Sequence, residues 1–248
     1  GRISEETVIG IVRQDDATGP VQLDLLIEPI SWNALRELRY KAMQAGNRKL
    51  VDELSDGRIG YIHIKSMGQA SLDEYERDLY AAADGRDGLI VDVRNNGGGW
   101  TADRLLASLM VRPHAYTVPR GADPGMTSGY PQDRLFIQRY ILPVNMLCNE
   151  KSFSNAEIIS HAFKSLDRGT LVGQQTYGGV ISTGGTTLID GTRVRLPFGG
   201  WFLLDGTDME NNGAIPDLVV IQTPESEATE QDLQLDAAVM DLLDRMQE

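Results

Sequence analysis

The residues whose types and spacing could do chemistry fall in four places. They are the serines of Asn149-Glu150-Lys151-Ser152-Phe153-Ser154-Asn155, the glycines of Asn95-Asn96-Gly97-Gly98-Gly99, the carboxylates Asp208 and Glu210, and the histidines His63, His114 and His161. A serine on a tight strand-to-helix turn is lifted clear of the core. It also sits where the backbone N–H groups of a helix N-terminus have no internal partner. Acyl transfer needs that pairing of an exposed hydroxyl with donors for a developing oxyanion. A second reading stands beside it, in which Ser152 or Ser154 caps the helix. Three consecutive glycines after a buried strand permit positive φ and let a ligand approach bare N–H groups. Their spacing fits neither a P-loop nor a dinucleotide fingerprint, and no lysine follows. An oxyanion or peptide-backbone site at the carboxyl end of a parallel strand fits better, with an ordinary turn as the alternative. No His-Glu-x-x-His or similar spacing is present, so neither a metal nor a cofactor is expected.

The elements that must position these groups can be read from periodicity. Residues 8–13 and 21–27 form two strands joined by a polar turn. Residues 29–55 are polar and basic, with a hint of a short helix at Trp32, Leu35 and Leu38. Strands are expected over 58–64, 88–94, 140–148, 170–173, 201–204 and 217–222. Helices are expected over 71–83, 101–111, from Ala156 to Phe163, and over 233–246, the first with a Ser71–Glu74 capping box. Asp190-Gly191 signals a hairpin between 186–189 and 192–196. Residues 113–132 read as a loop and 224–231 as a polar link. The β-α-β-α order implies an α/β fold with a parallel sheet and right-handed crossovers.

Composition excludes several classes. The 248 residues are 41% hydrophobic and 24% charged, which describes a globular chain able to bury a sizeable core. A net charge of −13 argues against a nucleic-acid partner. No apolar run is long enough for a membrane span. The single cysteine, Cys148, rules out an intramolecular disulfide framework and suits the cytoplasm, with a periplasm as the alternative.

As an ordered set, several stretches resemble the tail-specific (carboxyl-terminal processing) serine peptidases, and most closely the C-terminal core of the tricorn branch. They are Gly57–Ile64, Asp92–Gly99, Asn149–Ser154, Ser160–Lys164, Thr176–Val180, Asp190–Thr192, Glu210–Gly213, Pro216-Asp217 and Gln234–Val239. The resemblance implies a mixed, largely parallel sheet flanked by helices, the ClpP/crotonase-like βαβ core. It implies a peptidase core over 56–248 and the remnant strands of a PDZ-like module over 1–29, while the basic run between them reads as a linker over 30–55, with a solvated face as the alternative. It places the nucleophile at Ser154, oxyanion donors at Gly99 and Asn155, and the tetrad carboxylate at Glu210. Substrate contacts are expected at Gly97, Gly98, Thr117, Gly178 and Gly179. Gly179 stands where the tail-specific branch has its lysine, so a Ser–His–Glu arrangement is favoured over Ser–Lys.

None of the three histidines matches the family's general base. His63 lies mid-strand, His114 beside Pro113 at a loop, and His161 is seven residues past Ser154, about 10 Å along the helix. The reading is therefore a C-terminal fragment whose base lies in an upstream segment. The expected partner is a peptide or unfolded protein, with a homo-oligomer possible. The alternative function is a peptide-binding or assembly module without catalysis.

Overall fold

The computed structural model describes residues 3–15, 18–111, 120–121, 123 and 139–247. The expected loop over 113–132, with His114 and Thr117, lies almost wholly outside the described residues. The chain divides into two units, Gly1–Gly46 and Asn47–Glu248.

In the first unit, β1 (Thr7–Asp15) and β2 (Gly19–Ile27) pair antiparallel from Thr7↔Ile27 to Asp15↔Gly19. Asp15 Oδ1 accepts from the Thr18 N–H and hydroxyl, both at 2.8 Å, and so fixes the turn. The polar stretch after them is nearly all helix. α1 (Trp32–Ser55), whose residues from Asn47 onward belong to the second unit, starts from a Ser31 cap, whose Oγ accepts from Ala34 N at 3.1 Å. Its Leu, Glu, Arg, Lys and Ala residues are strong helix formers. It buries only Val51 and Ser55, which is why so little apolar period marks it in the sequence.

In the second unit, five strands form one parallel sheet in the order β3 (Ile59–His63), β4 (Gly88–Asp92), β5 (Val144–Cys148), β6 (Leu171–Gly173) and β9 (Leu218–Val219). Every residue of β4 and β5 is buried, as expected of strands covered on both faces. Side chains alternate between two apolar layers. Leu89, Val91 and Met146 pack with Leu72, Leu79, Leu105, Ile159 and Phe163 of α2 (Gln69–Ala83), α3 (Ala102–Met110) and α4 (Asn155–Ser165). Ile90 and Leu147 face the other way, against Val51 and against Leu235, Val239 and Leu242 of α6 (Leu233–Arg245). The mixed α/β fold with a parallel sheet flanked by helices is thus as expected.

Arg94, just past β4, fastens α6 to the sheet. Its guanidinium bonds Asp92 Oδ2 at 2.7 Å and Asp232 at 2.7 and 2.8 Å, and Tyr61 donates to Asp92 at 2.8 Å. Burial alone raises the Asp92 carboxyl. The Arg94 charge, with His63 and hydrogen bonds from Arg94, outweighs burial and holds it below its ordinary value.

A second antiparallel pair, β7 (Ser182–Thr187) and β8 (Arg193–Gly199), is offset from the expected hairpin, and its tip spans 188–192. Other departures are local. α2 begins at Gln69 after Gly68, so Ser71 lies inside it and contacts Ser66 Oγ instead of capping. Residues 201–204 form only an isolated bridge, Phe202↔Asp208, because the chain turns back at once, with Leu203 N bonded to Thr207 O at 2.9 Å and Met209 N to Trp201 O at 3.0 Å. The link after Thr223 contains the short helix α5 (Pro224–Ala228), capped by Thr223.

Candidate active site

The sheet delivers two neighbouring strand ends, β4 and β5, to one place, and polar side chains stitch their loops together. Ser152 is fully buried; its hydroxyl donates to Val93 O at 2.8 Å and accepts from Asn149 N at 3.1 Å. Asn149 Oδ1 accepts from Asn95 N at 2.9 Å, and Phe153 N donates to Asn96 O at 2.9 Å. Asn96, also fully buried, donates to Ile64 O at 2.7 Å and accepts from Gly98 N at 2.9 Å. Ser152 is therefore a fastener of the turn, and Ser154 is the half-buried serine left at its apex.

Ser154 has φ 57° and ψ −115°. Those are the angles of the first central residue in a type II′ turn, and Ala156 N closes that turn on Phe153 O at 3.1 Å. A non-glycine residue there is strained, as at a nucleophile elbow. Ser154 is also the N-cap of α4 and forms a capping box with Glu157, as the second reading expected; the Glu157 N–H bonds the Ser154 backbone carbonyl at 2.9 Å as well, so that donor keeps a partner when the hydroxyl is engaged elsewhere.

Two segments with backbone N–H groups meet at this serine, the Gly98-Gly99 loop and the start of α4 at Asn155. Gly98 O accepts from Met67 N and Trp100 N donates to Met67 O, a parallel bridge that turns the Gly99 N–H to the opposite side. Gly98, at φ +85°, lies so close to the turn that an added Cβ would sit 2.7 Å from Ser154 Cβ and 3.0 Å from Asn155 N. The Asn155 side chain accepts from Ala102 N at 2.7 Å, tying the start of α4 to the start of α3. Among the described residues, no protein acceptor takes the Gly99 or the Asn155 N–H. Gly97 is exposed beside them.

The second glycine turn meets the first through a residue the sequence reading missed. Glu157 is fully buried. It accepts from Ser154 N at 2.9 Å, Thr176 Oγ1 at 2.7 Å, Gly179 N at 2.8 Å and Gly178 N. The Gly178 and Gly179 N–H groups are thus already engaged. The Ser154-x-x-Glu157 spacing of a capping box was the available signal. Tyr177 packs edge-on against Phe153, ring centroids 5.0 Å apart. Glu210 lies on the far side of this turn, accepting from Val180 N at 2.7 Å and Ile181 N at 3.0 Å.

Neither described histidine is hydrogen-bonded to Ser154. His63 Nε2 lies 3.0 Å from Arg94 O, and His161 Nε2 lies 3.1 Å from Asn212 O. Burial lowers the His161 pKa, opposed by the Asn212 carbonyl and Glu157 and reinforced by Lys164.

The chain is similar to several known proteins. The chain is 39% identical over 204 residues to tricorn protease homolog 1 of Streptomyces coelicolor, covering 82% of this chain and 18% of that protein. It is 35% identical over 241 residues to the tricorn protease of Thermoplasma volcanium, covering 96% of this chain and 22% of that protein. A crystal structure of the tricorn protease superposes with a TM-score of 0.79 at 32% identity, over all of this chain and 23% of that one. The chain thus spans about a fifth of the length of these relatives. The model of peptidase family S41 matches residues 58–220, well over half of the sequence, and the chain belongs to that family.

Proposed function

We propose that this chain carries the catalytic core of a serine peptidase, over residues 56–248, following the end of a PDZ-like module over 1–29. One observation carries the reading. Ser154 sits at a strained apex packed against the Gly98-Gly99 loop, and neither the Gly99 nor the Asn155 N–H has a protein acceptor among the described residues. In the proposed reaction Ser154 Oγ attacks the carbonyl carbon of a peptide bond as its proton passes to a general base. The carbonyl oxygen becomes an oxyanion held by the two N–H groups. Collapse expels the amine, which takes the proton, and water then hydrolyses the acyl-enzyme.

The base is a histidine from outside the described residues, since His63 and His161 are turned to backbone carbonyls. Glu210, through its turn, helps place that base. Gly97 and Gly98 border the path of the substrate backbone. The partner is a peptide or unfolded protein, handled by a cytoplasmic homo-oligomer. Among the described residues no helix is long and apolar enough to cross a membrane.

The test is Ser154→Ala in the natural-length protein, assayed on mixed fluorogenic peptides. Turnover is expected to disappear, and unchanged turnover refutes the reading. The same absence of a described histidine at Ser154 favours one rival, a module that binds extended peptides by strand addition without cleaving them. A fluorophosphonate probe separates the two. Ser154-dependent labelling of the natural-length protein supports the enzyme, and no labelling at any chain length supports the module.

A further inference from the structure

We propose that Glu157 is a positioning residue of the peptidase site, acting through Ser154 and the Thr176–Gly179 turn. This rests on the serine-peptidase reading and assigns a role to a residue outside the nucleophile, oxyanion and Glu210 set.

A glutamate three residues into a helix ordinarily reaches back to one N–H from an exposed position. Glu157 differs in burial and in partners. It is fully buried, and its two oxygens take four donors from two segments of chain. Oε1 accepts from Ser154 N and Gly179 N; Oε2 accepts from Thr176 Oγ1 and Gly178 N. An ionised carboxylate offers about four lone-pair sites and no donor, so the donor set matches it in full.

Three consequences follow for the reaction. The Ser154 N–H is occupied and is withheld from the oxyanion, which leaves that task to Asn155 and Gly99. The bond from Ser154 N also holds the residue at its strained angles. The same carboxylate grips the turn that carries Tyr177 against Phe153, and the next two N–H groups along that turn bind Glu210. Glu157 is therefore the joint that keeps the nucleophile and the Glu210 loop in register, within the sub-ångström tolerance such sites need.

Glutamine cannot take over. Whichever oxygen its amide nitrogen replaces, two hydrogen-bond donors then face a third. The Thr176 hydroxyl can turn to accept from that amide only by withdrawing its own proton from the acceptor it now has, while its other lone pair stays with Ala214 N at 2.7 Å, and the Gly178 N–H still faces the amide.

The experiment compares wild type, Ser154→Ala and Glu157→Gln in the natural-length protein, with kcat and KM on a fluorogenic peptide and the melting temperature of each. On the isotope-labelled 248-residue chain, the Ser154, Gly178 and Gly179 amide proton shifts report the bonds directly. For folded Glu157→Gln the expected result is a kcat loss of about a hundredfold, KM within about twofold, and displaced amide signals. Wild-type kcat in folded Glu157→Gln, with Ser154→Ala inactive, overturns the positioning role alone. A fall in apparent kcat at constant KM that matches the unfolded fraction, with the amide signals of the folded fraction unmoved, assigns Glu157 to stability only and also overturns it. An inactive wild type, or an active Ser154→Ala, overturns the serine-peptidase reading and this role with it. Should Glu157→Gln fail to fold, Thr176→Val removes one of the four donors while leaving the carboxylate. It is expected to lower kcat about tenfold at constant KM, and wild-type kcat in that variant overturns the proposal.

Discussion

Replacing Gly98 by alanine tests the closeness of the glycine loop to the nucleophile turn. The new Cβ would lie 2.7 Å from Phe153 O and Ser154 Cβ, where ordinary contact begins at 3.4 Å, so the loop must retreat by about 0.7 Å. The backbone angle of φ +85° adds about 1 kcal/mol for any residue with a Cβ, and overpacking adds about 1–3 kcal/mol. A total near 3 kcal/mol corresponds to a fall of roughly 10 °C in melting temperature for a domain of this size. The displacement also moves the Gly99 N–H relative to Ser154, and a shift approaching 1 Å costs about a hundredfold in rate. The assays are thermal unfolding and kcat/KM of the natural-length protein on a fluorogenic peptide. Gly97→Ala is the stability control, since nothing lies within 4 Å of the Cβ it would add; its stability should change by less than about 0.5 kcal/mol. Unaltered melting and unaltered kcat/KM in Gly98→Ala would refute the reasoning. A lowered melting temperature at full activity would show that the loop does not set the reaction geometry.

The polar cluster under α6 and the lone thiol give three further predictions. Asp92 titrates below its ordinary value in the folded chain, so its contribution to stability is complete above the ordinary carboxylate pKa and is lost as pH falls through the folded one. The urea midpoint should therefore drop on acidification below about pH 4. Arg94→Met, which strands Asp92 and Asp232 without their cation, should cost about 3–5 kcal/mol at neutral pH; a midpoint within error of wild type would contradict this. The Cys148 thiol is pushed well up, first by burial and then by nearby Asp92, and its Sγ lies 3.3 Å from Gln174 O. It should resist a disulfide reagent in the native chain and react in concentrated guanidinium, and rapid native labelling would show the β5 end to be open.

Much of the framework could be read before any coordinates. β4 and β5 announced themselves as short, continuous apolar runs, and the serine and glycine turns that follow them mark the two strand ends that build the site. What escaped did so for identifiable reasons. α1 packs so little of its surface that it leaves no apolar stripe. Ser71 missed its cap because the helix starts two residues earlier, at a glycine-led turn. Residues 201–204 are apolar without being buried, and composition alone does not separate those cases. Glu157 was hidden by its commonplace spacing, since a capping glutamate and a buried joint between two turns look identical until the second turn folds back onto the first. Thr117 and His114 stand outside the described residues.

The backbone at Ser154 sets two selective pressures against each other. Its angles suit glycine, the one residue that would sit there without steric cost, so on stability alone drift at this codon runs toward loss of the side chain. Ala or Gly at this position in a copy of the gene would then mark relaxed selection on chemistry in a fold that remains intact. The apex of the turn is thus a record of whether a lineage still uses the site.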